Sequence, residues 1–140
     1  MKLIAPVLVV TALLMGAAPV GAVGRPLSAD LSGLNEVPQN SEGSSGTALV
    51  TLNQGQGEIC IELSTTGITG TVIAGHIHEA PAGVNGGVVV NLGINSAQFS
   101  GCVDASADLI KEIRQNPGDY YINVHTTNFP PGVIRGNLSK

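Results

Sequence analysis

Between residues 58 and 63 apolar and polar side chains alternate without a break. Ile59, Ile61 and Leu63 hold one parity, and Glu58, Cys60 and Glu62 the other. A period of two sends each set to its own face of an extended chain, so this segment predicts a half-buried strand. Similar runs predict strands from Ala29 to Leu34, Thr47 to Leu52, Thr71 to Glu79, Gln98 to Val103, Tyr120 to His125 and Val133 to Leu138, with Arg25 to Asp30 as a linker into the first. Val88-Val89-Val90-Asn91-Leu92 is apolar at both parities and predicts a strand covered on both faces. One segment has a different period. Leu109, Ile110 and Ile113 recur at helical spacing, with Asp104 or Ser106 to cap the start and Pro117-Gly118 to end it, so one short helix is expected over about 105–115. Gly, Pro, Asn and Ser fill the intervening stretches 35–46, 53–57, 64–70, 80–87 and 126–132. About eight short strands and a single helix predict an all-β antiparallel sandwich or barrel.

The first residues follow another rule. Met-Lys precedes an apolar run from Leu3 to Val20, broken by Pro6 and Pro19 and closed by Val20-Gly21-Ala22. This reads as a secretory signal peptide over 1–22, leaving one domain over 23–140, although the run approaches the length of a membrane anchor. No cysteine stands at that exit to carry a lipid. The expected location is secreted or periplasmic, with no membrane association once the signal is removed. Without Lys2 five of the six Lys and Arg residues remain against ten Asp and Glu. A chain so poor in clustered cations is not built for phosphate backbones, which excludes nucleic acid as a partner.

Two of the three histidines lie in Gly75-His76-Ile77-His78-Glu79. Two apart on a strand, they point the same way, roughly 7 Å from each other. Ile73 and Ile77 share the opposite parity and are expected to face the core. In Tyr121-Ile122-Asn123-Val124-His125, Ile122 and Val124 take one parity and Tyr121, Asn123 and His125 the other. Were the two strands neighbours, His76, His78 and His125 would meet on one outer surface as three neutral imidazole nitrogens, a set suited to copper and, less well, to zinc.

The two cysteines, Cys60 and Cys102, both sit at the polar parity of their strands. In an oxidising exterior two outward thiols are expected to pair, closing a loop of about 42 residues and adding roughly 4 kcal/mol of stability on a chain-entropy argument. The alternative is two unpaired thiols. Their spacing does not fit a Cys-x-x-Cys redox motif.

The runs Leu31-Ser32-Gly33-Leu34-Asn35-Glu36-Val37-Pro38, Gly75-His76-Ile77-His78, Tyr121-Ile122-Asn123-Val124-His125-Thr126 and Phe129-Pro130-Pro131-Gly132-Val133-Ile134-Arg135-Gly136-Asn137-Leu138 together resemble the CHRD (chordin) domain family. The resemblance implies a secreted domain with an immunoglobulin-like β-sandwich or barrel, through the family's limited similarity to copper/zinc superoxide dismutases. It looks like the single-domain, exported bacterial members, and it implies a binding or structural module that recognises a protein or small ligand. The His-x-His strand is similar to the copper-binding strand of the dismutases, and Arg135 to the arginine that guides their anionic substrate. The competing reading is therefore a copper-dependent oxidoreductase. Three histidines, however, build neither the four-histidine copper site nor the histidine-rich zinc site of those enzymes. A further alternative is a polar cluster in which the histidines, Asn123 and Arg135 satisfy one another, with Glu36 as the salt-bridge partner of Arg135.

Other chemistry finds little support. No Gly-x-Ser-x-Gly elbow is present, and Gly83-Val84-Asn85-Gly86-Gly87 lacks the lysine and helix of a phosphate loop. With Trp absent, Tyr120, Tyr121, Phe99 and Phe129 are expected to pack rather than to form a sugar platform.

Overall fold

The alternating run at 58–63 becomes the first part of a nine-residue strand whose inward residues are almost fully covered. Ile59 is 0% exposed and Leu63 4%. The computed structural model describes residues 25–40 and 42–140, and the proposed signal segment 1–22 lies outside them. In chain order the elements are β1 (Leu27–Ser32), a 3-10 turn (Gly33–Asn35), β2 (Ser45–Asn53), β3 (Glu58–Thr66), β4 (Val72–Glu79), β5 (Gly87–Asn91), β6 (Gln98–Asp104), α1 (Ala107–Gln115), a second 3-10 turn (Pro117–Asp119), β7 (Tyr120–Thr126) and β8 (Ile134–Asn137).

All pairings are antiparallel and the eight strands form one sheet in the order β5-β4-β7-β8-β1-β2-β3-β6. The sheet curls around a single apolar cluster to which β1, β2, β3, β4, β5, β7, β8 and α1 all contribute buried residues. Sealing that cluster is the work of α1, whose Ile110 and Ile113 are both fully buried. Its start is set by Ser106, whose side chain accepts a hydrogen bond from the Leu109 N–H; the other candidate cap, Asp104, ends β6. Two crossings position the histidine strands. The chain leaves β3 for β4 in another part of the sheet, and after α1 it returns as β7 between β4 and β8. Two segments far apart in sequence thereby become hydrogen-bonded neighbours.

Three expectations need correction. Ile73 faces solvent at 52% exposure and Val72 is covered instead, because the β4–β7 register shifts between Val72 and Ala74. An irregular residue there reverses parity for the start of the strand. The valine run of β5 is not covered throughout. The strand lies at the end of the sheet and pairs with β4 alone, and a register shift opposite Ile77 and His78 separates exposed Val88 from buried Val90. Finally, the first strand starts at Leu27 within the expected linker, since Leu27, Ala29 and Leu31 share the buried parity.

Cys60 and Cys102 form a disulfide between directly opposed residues of β3 and β6, with Cα atoms 4.0 Å apart. The bridge lies on the sheet face away from the core, and it closes a 42-residue separation.

The parity assignments are open to a paired test by urea denaturation. Ile122→Ala, at a position 0% exposed, is expected to cost about 2–5 kcal/mol. Ile73→Ser is expected to change stability by no more than about 0.5 kcal/mol. Comparable losses at both positions would contradict the shifted register.

Candidate metal centre

The β4–β7 pairing sets Ala74 opposite His125, His76 opposite Asn123 and His78 opposite Tyr121. Gly75, Ile77, Ile122 and Val124 turn to the core, so His76, His78, Tyr121, Asn123 and His125 share the other face. That face is largely covered, with the three histidines left partly exposed. Asn123 is 1% and Tyr121 2% exposed, because the segments that follow β1, β4 and β7 fold over it. Gly132 shows how close this roof comes. A Cβ there would stand 2.7 Å from the Asn123 amide and 2.8 Å from Glu36, and its φ of +142° is one that side-chain-bearing residues rarely adopt.

Two backbone carbonyls settle the protonation of the rings. His78 Nδ1 lies 2.9 Å from the Gly86 carbonyl oxygen, and His125 Nδ1 2.8 Å from that of Pro130. A carbonyl only accepts, so each Nδ1 carries the proton and each Nε2 presents a lone pair. His76 Nδ1, 3.0 Å from His125 Nε2, is then the donor of that contact. His78 Nε2 is buried and, among the described residues, has no hydrogen-bond partner. One nitrogen from each ring lies within 4.8 Å of the others. An imidazole whose far N–H is tied to a carbonyl while its near nitrogen is bare has the arrangement of a metal ligand.

A second layer holds these rings. Tyr121 stacks on His78 at 4.8 Å between centroids and 7° between planes. The Arg135 guanidinium lies 4.6 Å from the centre of the same phenol ring. Strands β4 and β8 flank β7, so Tyr121 is held between the imidazole and the cation. Arg135 Nε donates to Glu36 Oε2 at 2.8 Å and Nη2 to Asn85 Oδ1 at 2.7 Å. The second carboxylate oxygen of Glu36 accepts from Asn123 Nδ2 at 2.7 Å, and the Gly86 N–H donates to the Tyr121 hydroxyl at 3.1 Å. Glu36 is 3% and Arg135 5% exposed, so both charges lie out of water and depend on each other.

The structure thus brings His76, His78 and His125 together and sets Asn123, Glu36 and Arg135 in one network behind them. Arg135 is turned toward Glu36 and Asn85 rather than toward the histidines. Tyr121, Gly86 and Pro130 carry parts of the site that sequence reasoning did not single out. Tyr121 shares the outward parity of Asn123 and His125, a usable signal; the two carbonyls belong to backbone and leave none.

Burial holds the pKa of both His76 and His125 below the ordinary value of 6.5. The neighbouring imidazoles add to the effect at His76. At His125 the Pro130 carbonyl opposes it, while His78 and Arg135 reinforce it. The neutral rings that a metal requires are therefore favoured. Burial pushes the Glu36 carboxyl upward, against the pull of Arg135 and Asn123.

Removing one member of the buried ion pair strands the other. Arg135→Met is expected to cost about 3–5 kcal/mol, and the double variant Glu36→Leu with Arg135→Met to recover much of that, measured by denaturant unfolding. For the histidines, the unfolded chain takes up protons at 6.5 before the folded one does. Their contribution is fully present above that pH and is lost as pH falls toward the lower folded values. Glu36, shifted upward, acts in the opposite sense: its contribution is present below 4.5 and is lost as pH rises through its folded value. Proton NMR is expected to give imidazole midpoints below 6.5 for His76 and His125; midpoints above that value would refute the burial argument.

A family profile for the CHRD domain matches residues 27–138. No curated protein and no solved structure matches the chain. The matched span begins with β1, contains every strand and the helix, and includes each residue of the roofed cluster, so this chain belongs to the CHRD domain family.

Proposed function

We propose that this chain is an exported CHRD-domain binding module that holds one metal ion, copper in preference to zinc, through His76, His78 and His125. The observation that carries the reading is the bare, buried Nε2 of His78, whose tautomer the Gly86 carbonyl dictates. Leaving such a nitrogen without a partner costs about 1–3 kcal/mol, which a metal ion would offset. Imidazole ligands with no carboxylate among them favour copper at the top of the divalent series. Bound copper would supply a Lewis-acidic, redox-active centre, and three protein ligands leave room for a further small ligand.

The protein's own residues do the positioning. Gly86 and Pro130 aim two rings, Tyr121 sets the plane of His78, and the Arg135–Glu36 pair fastens Tyr121 from behind. The same burial of Arg135 supports a binding role over superoxide turnover, since its guanidinium is spent on Glu36 and Asn85 and is not presented to an arriving anion. Export through removal of residues 1–22 accords with the Cys60–Cys102 disulfide, and no described helix is long and apolar enough to cross a membrane.

Isothermal titration with copper is expected to give one equivalent per chain. His78→Ala is expected to weaken binding by about 100-fold or more, and at 100 times Kd the metal to stabilise the wild type by about 2.7 kcal/mol. Purified protein that takes up neither copper nor zinc in stoichiometric amount, with His78→Ala melting as the wild type does, would remove both the metal site and a structural role for the cluster.

A further inference from the structure

On the sheet face opposite the core, away from the histidines, a second set of ligand atoms converges. Cys60 and Cys102 face each other across β3 and β6, and Glu58 stands two residues before Cys60 on the same face. Glu58 Oε1 lies 3.3 Å from Cys60 Sγ, and the Glu58 oxygen and both sulfurs lie within 4.8 Å of one another. Asn53 Nδ2, on β2, donates to the same Glu58 oxygen at 3.3 Å and holds it beside the sulfur. Asp104 stands directly opposite Glu58 and adds negative charge to the patch. The disulfide is also within reach of solutes. Cys102 is exposed, Cys60 partly so, and a groove of about 270 Å³ lined by Pro26, Thr51, Ser100 and both cysteines runs beside the bond.

We propose that Cys60, Cys102 and Glu58 form a second metal site, opened by reduction, for a thiophilic divalent cation of the zinc class. A dithiol reductant entering by the groove transfers two electrons and two protons: the S–S bond becomes two thiols and the reductant closes its own disulfide. Metal entry then releases both thiol protons to solvent and forms two metal–sulfur bonds and one metal–carboxylate bond, with the remaining position left to water. The backbone keeps the donors together after the S–S bond is gone. Residues 58–64 pair with 98–104 position by position, and the core packs against the other face of β3. The two Cα atoms, 4.0 Å apart, stay opposed while that pairing lasts, so both thiols remain within reach of one ion. The proposal does not depend on the histidine site, which lies on β4 and β7.

The test is cadmium titration of the full chain, oxidised and after reduction by a dithiol that is then removed under anaerobic conditions, with absorbance read for thiolate-to-cadmium charge transfer, a band that imidazole ligands do not produce. Reduced protein is expected to keep the far-ultraviolet circular dichroism of the oxidised form and to develop the band up to one equivalent. Oxidised protein is expected to show none. Glu58→Gln is expected to weaken cadmium binding by about tenfold or more, and zinc to displace the cadmium. Unfolding on reduction would overturn the proposal, as would absence of the band in a folded reduced protein. An unchanged affinity in Glu58→Gln would overturn the assignment of the carboxylate. Were that variant not to fold, the comparison of oxidised with reduced wild type decides alone.

Discussion

The pairing of β4 with β7 is the constraint on which the rest of this molecule depends. Its register presents Ile77, Ile122 and Val124 to the core and, by the same alternation, His76, His78, Tyr121, Asn123 and His125 to the other side. A slip of one residue would send imidazoles into the apolar cluster and isoleucines out of it, so the burial that stabilises the domain also dictates where the imidazoles stand. Stability and site rest on one set of hydrogen bonds.

The outward face of that pair behaves as a second, polar interior. Loops cover it, and its polar atoms are matched in a connected order: Arg135 to Glu36, Glu36 to Asn123, Arg135 over Tyr121, Tyr121 against His78, and His78 to the Gly86 carbonyl. Networks of this kind gain little in net stability from any one charge pair, since desolvation offsets most of the attraction, but they are costly to break at any point. Their value here is orientation. Two buried atoms of this network lack a partner among the described residues, Asn123 Oδ1 and His78 Nε2, and of the two the imidazole nitrogen is the better donor to copper or zinc.

The two cysteines mark the other pole of the domain. At the surface of β3 and β6 they staple strands already held by the sheet ladder and sit beside a groove, with carboxylates on either side. A buried bridge between loops would serve stability alone. One laid across neighbouring strands at the surface is accessible to exchange while the fold has other means of support.

Much of this was legible from the chain. Period-two alternation placed β3, β4 and β7 within a few residues, the histidine parities followed from it, and so did the outward position of both cysteines, because alternation is a local consequence of strand geometry. Local pattern failed where a neighbour decides. The irregularity near Ile73 arises from pairing with β7, and the opposite fates of Val88 and Val90 from a register shift in the pairing with β4. That β4 and β7 are adjacent, that a roof of loops makes their outer face an interior, and that Gly86 and Pro130 lend their carbonyls to the rings were decided only by the tertiary structure. Those contacts join residues remote in sequence, several through backbone atoms that every residue type shares, so no side chain announces them.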